Sequence, residues 1–566
     1  VKRIYFLLLI IYILSSSNAF SQNLKLSVNG DSDTENQVID SLNYLKTHKD
    51  YLSISSELDS IQKTLLKIGY IENKLGDITK VNDSVFSAKI HLKKRYHTIY
   101  IYYDKNLLDE SLLNLVSNRV NDTCFVLPIE EVEDKLNFIN SKITSAGLPF
   151  SKLQLSDIAV NNNILKAHLL IESDVKKRII DDIIIRGYEK FPRSYLKHYL
   201  KIKRNQIFDL GKIKSKTEQL NDLRFANQIK SPEVLFTKDS TTLYIYVEKS
   251  KSNSFDGFLG FGTNEDTNKL QFDGYLNLSL TNNLNYGESF RLLYKSDEND
   301  QKTFQTQLTL PYIFSSPLGI DLQLYIFKRD SSFTTVNQFA KLHYQINSKH
   351  KIYSGITSTQ SNNLLNNSTP NLITDFDSSY FTSAYEYIHP QSSQSYNLLF
   401  PINASFYLET NFGKRKTSTL IENQKQFSLS GFKIFNFNSR NSVFIKIDGK
   451  TLISDTYFEN ELLRFGGINS IRGFEENSLL ADSYGVLNSE YRFQLGNAMY
   501  VHTITDVAYF ENKITNTIEK LFGYGFGFGI LTNSGLLKLN YANGKSENQK
   551  FKLSNSKIHI SLTANF

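Results

Sequence analysis

The chain has 566 residues, 64 basic against 57 acidic for a formal net charge of +7, one cysteine, and 33 Tyr and 40 Phe with no Trp. A single cysteine, Cys124, excludes an intrachain disulfide, and a basic excess spread along the chain offers no patch for nucleic acid. No run of eighteen apolar residues follows Phe20, so any membrane embedding of the mature chain must be by closed β-barrel; only helices and closed barrels satisfy every backbone N–H and C=O in lipid.

Residues 1–21 read as a secretory signal peptide. Val1, Lys2 and Arg3 supply a basic start, Ile4 to Leu14 a short apolar core, and SSSNAFSQ a small-residue cleavage site after Ala19 or Ser21. Cys124 is too far from that site to be a lipidated N-terminus and is expected to be a small buried hydrophobe.

Three α+β units follow, 22–95, 96–176 and 177–252, each predicted as β-α-α-β-β. The first has the strand LKLSVNG, a helix with Leu58, Ile61, Leu65 and Ile68 on one face stopping at Gly69-Tyr70, and the strands ENKLGDITKV and SVFSAKIHLKK. The second opens with HTIYIYY, has helices at about Glu110 to Val120 and Glu130 to Ala146, and closes with SKLQLSDIAV and ILKAHLLIES. The third runs from RIIDDIIIRGYEKFP through a helix around Ser194 to Leu200 and a second helix carrying Ile213, Leu220 and Leu223, then into IKSPEVLF and TTLYIYVEK.

From residue 253 to 566 the helical period disappears and sixteen strands of alternating character are predicted, separated by Asn, Ser, Gly and Asp clusters. In LFGYGFGFGI, Phe522, Tyr524, Phe526, Phe528 and Ile530 face one way and Gly523, Gly525, Gly527 and Gly529 the other, leaving room for something bulky at the inner wall. The chain ends KIHISLTANF, ten alternating residues finishing on an aromatic. With Ile560, Leu562 and Phe566 on its apolar face, this end resembles the C-terminal signal of outer-membrane barrels.

Two sets of motifs resemble the BamA and TamA superfamily. IIIRGYEKFP, QIFDLGKI and TLYIYVEK in the third unit resemble the POTRA domain, the periplasmic module of that superfamily and of two-partner secretion translocators. Between predicted strands eleven and twelve, Arg464-Phe465-Gly466-Gly467 and Ile471-Arg472-Gly473-Phe474 resemble the superfamily's sixth-loop signature. The resemblance implies that the loop folds into the lumen and that Arg472 meets an inward acid on strand thirteen, matched here by Asp506, with Glu490 a second inward acid. An Arg in a confined lumen needs such partners, because an unpaired charge away from bulk water is costly. Ala508 stands where the superfamily usually has Gly.

The fold implied is a set of α+β periplasmic POTRA repeats followed by an all-β 16-stranded antiparallel transmembrane barrel, in the outer membrane of a Gram-negative bacterium. The function implied is assembly of other outer-membrane proteins: POTRA domains receive unfolded clients and the barrel seam templates strand addition. The alternative is a two-partner-secretion pore passing one secreted polypeptide; three units favour the first, since secretion members typically carry two. Expected partners are those polypeptides, outer-membrane lipid and accessory periplasmic subunits. No catalytic residues, cofactor or metal are expected, the 10 His being scattered.

Overall fold

The computed structural model describes residues 23–565 except 162–163, 174–175, 264–269, 297–300, 366–371, 392–398, 533–534, 548–551 and 554–555. The predicted signal peptide and Phe566 lie outside the described residues. The chain divides into two compact units, Val1–Ile179 with Ile207–Leu210, and Ile180–Gln206 with Gly211–Phe566.

The first compact unit contains two four-stranded sheets. In one, Leu24–Asn29 and Val85–His91 run parallel at the centre, flanked by Thr47–His48 and Lys74–Asn82. Helix Tyr51–Lys67 closes its core: Ile54, Leu58, Ile61 and Leu65 recur every three or four residues and are buried against Leu26, Val28, Ala88 and Ile90. Asp50 caps this helix, accepting from the Ser53 backbone N–H at 2.8 Å while the Ser53 hydroxyl accepts from the Asp50 N–H. A second helix, Asp33–Ser41, fills the other α position of the expected β-α-α-β-β order, ahead of the one placed from sequence; Ser32 caps it and Ile39 is its single buried residue.

In the other sheet Thr98–Tyr102 and Ile164–Glu172 form the parallel centre, flanked by Cys124–Pro128 and Lys152–Asn161. The helix expected at about Glu110 to Val120 is only Glu110–Leu113. The Ser117 hydroxyl donates instead to the carbonyls of Arg119 (3.2 Å) and Val126 (2.7 Å), a local alternative to helix that turns the chain into the unpredicted strand Cys124–Pro128. Cys124 is buried there as a free thiol.

The second compact unit begins with a three-stranded sheet in which Thr241–Lys249 lies between Asp182–Gly187, parallel to it, and Ala226–Phe236, antiparallel. As in the other two sheets, the last strand is central beside the first. The rest is a closed antiparallel barrel of sixteen strands. They are β1 (Ser254–Thr263), β2 (Leu270–Thr281), β3 (Ser289–Ser296), β4 (Gln301–Leu310), β5 (Leu318–Arg329), β6 (Phe333–Gln345), β7 (His350–Asn363) and β8 (Phe376–Pro390). The second half is β9 (Ile402–Lys416), β10 (Ile421–Asn436), β11 (Asn441–Ile453), β12 (Ser483–Gly496), β13 (Met499–Asn512), β14 (Thr517–Thr532), β15 (Gly535–Ser546) and β16 (Ser556–Asn565).

Burial alternates along the strands. In β13 His502, Ile504 and Asp506 are buried inward while Val501, Val507 and Tyr509 are exposed on the outer face. The seam is the exception to continuous pairing: among the described residues β1 meets β16 at two positions only, Ser254↔Asn565 and Phe255↔Ala564. By contrast β1 pairs with β2 from Ser254↔Ser279 through Thr263↔Leu270.

The turns at one end of the barrel carry the preceding domain. Tyr188 donates to Asn285 Oδ1 (2.6 Å) and accepts from Asn282 Nδ2 (2.8 Å) on the β2–β3 turn, and Tyr195 donates to the Gly287 carbonyl at 3.2 Å. Tyr195 also packs edge-on against Tyr312 of the β4–β5 turn, ring centres 5.0 Å apart.

Candidate functional site

The sixth loop, residues 454–482, joins β11 to β12 at the end of the barrel away from those turns and folds into the lumen as a short hairpin, Leu463–Phe465 paired with Leu479–Ala481. Strand geometry decides what the hairpin touches. Alternate residues point to opposite faces, and Arg464 stacks over Phe327 of β5 and Phe333 of β6 (4.8 and 5.4 Å). Its neighbour Phe465 instead stacks on Tyr484 of β12 at 4.5 Å and meets Phe510 of β13. Burial, the largest influence, and the nearby Arg329 charge lower the Arg464 guanidinium to about 10.

Beyond the hairpin the chain turns through Gly466 and Gly467, both at positive φ, and Ile471 enters a dry cluster with Phe465, Ala481, Val486, Ala508, Phe510 and Leu521, against which Phe474 also packs. Ala508 belongs to this cluster, so its methyl group is accommodated by the apolar side of the loop.

Arg472 sits next to that cluster and is 4 % exposed. Its Nε and Nη2 donate to the two carboxylate oxygens of Asp506 at 2.8 and 2.6 Å, its backbone N–H donates to Asp506 Oδ2 at 3.0 Å, and Nη1 donates to Glu490. Glu490 in turn accepts from Arg492 Nε at 2.7 Å, and the Arg492 guanidinium lies 4.0 Å from the centre of the Phe444 ring. The four side chains form one chain of alternating charge with no net charge. Burial acts to lower the Arg472 guanidinium, but its hydrogen bonds to Asp506 and the Glu490 charge outweigh this and hold it above the ordinary range.

Glycines let the backbone of the loop reach the wall. Gly473 has φ +91°, a conformation that disfavours a side chain, and a Cβ there would overlap the backbone of Gly544 on β15. A Cβ on Gly523 of β14 would strike the Arg472 carbonyl. Asn488 Nδ2 and Lys446 Nζ donate to the loop carbonyls of Ser470 and Asn469, each at 2.7 Å.

A second group of contacts, not anticipated from sequence, holds the limb that precedes the motif. Arg415 of β9, 1 % exposed, donates to Glu422 of β10 and to Glu461 of the loop, and also to Thr456 Oγ1 at 2.6 Å. Glu461 accepts from Gln424 Nε2 at 3.0 Å, Arg329 of β5 pairs with Glu459, and Asn460 Nδ2 donates to Ser361 Oγ and the Thr374 carbonyl, each at 2.8 Å. The signal available was FENEL, two carboxylates flanking an amide at three consecutive loop positions ahead of an apolar pair.

At the terminus Ile560 is exposed on β16, Leu562 belongs to the same strand, and Phe566 lies outside the described residues. Among the described residues no His, Cys, Asp and Glu cluster is placed to hold a metal, and no helix is long and apolar enough to cross a membrane.

Residues 179–250 match the POTRA family model, described as a surface antigen variable number repeat. No curated protein matches the chain. Among solved structures it is similar to CdiB from Escherichia coli, with 13% identity, TM-score 0.51, and coverage of 91% of this chain and 97% of that one. CdiB from Acinetobacter baumannii gives 15% identity, TM-score 0.51, and coverage of 78% and 83%. BamA from Haemophilus ducreyi lacking POTRA domains 1-3 gives 13% identity, TM-score 0.49, and coverage of 82% and 99%.

Proposed function

We propose that this chain, a POTRA-bearing barrel with the architecture of the BamA/TamA superfamily, is an outer-membrane protein assembly factor that acts at its β1–β16 seam. In this reading the barrel sits in the outer membrane, the three N-terminal α+β domains (22–95, 96–176 and 177–252) are periplasmic, and clients are unfolded barrel proteins. The shared fold serves assembly and translocation alike, so the choice between them rests on local geometry.

The observation that carries the reading is the seam. Two register pairs join β1 to β16, leaving the rest of each facing edge, 256–263 and 556–563, without a ladder partner on that side among the described residues. Unpaired N–H and C=O groups in a row are a template for another strand, and inside lipid their desolvation makes capture of a client strand favourable. Opening such a seam breaks few backbone hydrogen bonds. The work is strand exchange, requiring orientation and edge exposure rather than a nucleophile, base or cofactor. The lumen, by contrast, holds the sixth loop on charged and apolar contacts, which favours a lateral route over an axial one.

The test is site-specific photocrosslinking in cells from β1 positions facing β16, followed by identification of what is trapped. Several different barrel proteins support the assembly reading. A single secreted polypeptide supports the translocation reading and rejects this one.

A further inference from the structure

The sixth loop touches opposite walls of the barrel. Its hairpin places Arg464 on β5 and β6 and the adjacent Phe465 on β12 and β13. In a ring of sixteen strands, β5 and β13 stand eight apart, half the circumference. The loop therefore crosses the lumen instead of lying against one side of it.

We infer that the loop is a strap fixed at two separate posts, and that the Glu459–Glu461 post on β5, β9 and β10 keeps the outer mouth shut independently of the Arg472 post on β12 and β13. The two posts share no residue. One is the Asp506–Arg472–Glu490–Arg492 chain. The other consists of Arg329 with Glu459 and Arg415 with Glu461 and Glu422, with Asn460 seated between them on Ser361 and Thr374. In the second post Glu459 and Glu461 of the loop face Arg329 and Arg415 of the wall, so withdrawing the loop breaks both pairs, leaving Arg415 with Glu422 and Arg329 without its loop partner. Separating charges that are largely out of water opposes release.

All these wall residues lie at one end of their strands. Arg329 ends β5, Phe333 begins β6, Arg415 is next to last in β9 and Glu422 second in β10. The turns that hold the third domain, at Asn285, Gly287 and Tyr312, lie at the other end. The second post is thus at the mouth away from the third domain. Beneath it is a cavity of about 460 Å³ lined by polar and charged side chains that include Asp321, Lys341, Glu386 and Glu409, a path for water and ions once the mouth opens.

The test is single-channel recording of the purified full chain in planar bilayers without clients, so that its outcome is independent of the assembly reading. Wild type should be silent apart from rare openings. The Glu459→Gln/Glu461→Gln pair keeps side-chain shape but removes the charge-assisted bonds, and should open at least about tenfold more often. Retained heat-modifiable gel migration would show that the variant barrel is folded. Arg472→Ala alone should leave the outer mouth mostly shut. If the Gln pair folds poorly, a Gln424→Cys/Glu461→Cys chain on a Cys124→Ser background, joined by a short bis-maleimide, replaces it: the tether should suppress openings seen before crosslinking. A folded Gln pair as silent as wild type, a tether without effect, or a wild type that conducts steadily would each overturn the two-post strap.

Discussion

Arg472 makes four hydrogen bonds to two carboxylates in a place where Asp506 has no exposure at all. The sum of those contacts is not their net worth, because bringing the charges out of water offsets much of the attraction, but removing one partner leaves the other stranded. Arg472→Ala should therefore lower barrel stability by about 3 to 5 kcal/mol, less where lumen water reaches Asp506. Asp506→Asn should cost less than Arg472→Ala, because Arg472 retains Glu490. A double-mutant cycle on Arg472 and Asp506, read by heat-modifiable unfolding in detergent, should show coupling of about 1 to 3 kcal/mol. Strict additivity would mean that the two do not act as a pair. The backbone makes a parallel prediction: Gly473→Ala meets both a positive φ and the Gly544 backbone, so the loop tip should lose its seat and become accessible to protease added from outside. Wild-type protease resistance in that variant would contradict the packing described.

Much of this was legible at the residue scale, and for a physical reason. Strand alternation alone assigns Asp506 and Glu490 to the inner wall, and the sixth-loop motif supplies the cation that faces them. Arg415, Glu422 and Glu461 were not legible. Alternation marks Arg415 only as one more lumen-facing polar residue, and its loop partner Glu461 lies 46 residues on in a segment with no period. The glycine alternation in β14 was readable as room for something bulky, but not that a main-chain carbonyl would use the space at Gly523.

At the scale of elements, the third domain is mounted on the barrel by Tyr188 and by side chains from a single helical turn. The segment around Ser194 to Leu200 is expected as a helix; what forms is a wide π turn, Tyr195–Tyr199. It delivers Tyr195 to Gly287, Tyr312 and Phe225 at once, a set of contacts beyond the segment's own periodicity and so absent from any local reading. Tyr195→Ala removes that ring and its hydroxyl bond, and should cost about 3 kcal/mol by the measure of large-to-small substitutions. The expected outcome is faster limited proteolysis between the third domain and β1 with the barrel itself still closed on gels. Unchanged cleavage would show that the mount lies elsewhere. The helix shortened to Glu110–Leu113 is a local case, where the Ser117 hydroxyl bonds carbonyls two and nine residues on in place of continued helical spacing.

For the molecule as a whole, the sixteen strands and the α+β domains ahead of them follow from the change of period near residue 252, and the structure bears that architecture out. The pairing of β1 with β16 could not be read from either strand, since register across a seam is set by closure of the ring. Yet the functional proposal depends on that register. The most direct test is to lock the seam: cysteines at Phe255 and Ala564, which face each other across it, in a Cys124→Ser background. Oxidised protein should fold and reach the membrane but fail to insert a client barrel in reconstituted vesicles, with insertion restored by reductant. Full client insertion with the seam disulfide intact would contradict assembly at the β1–β16 edge.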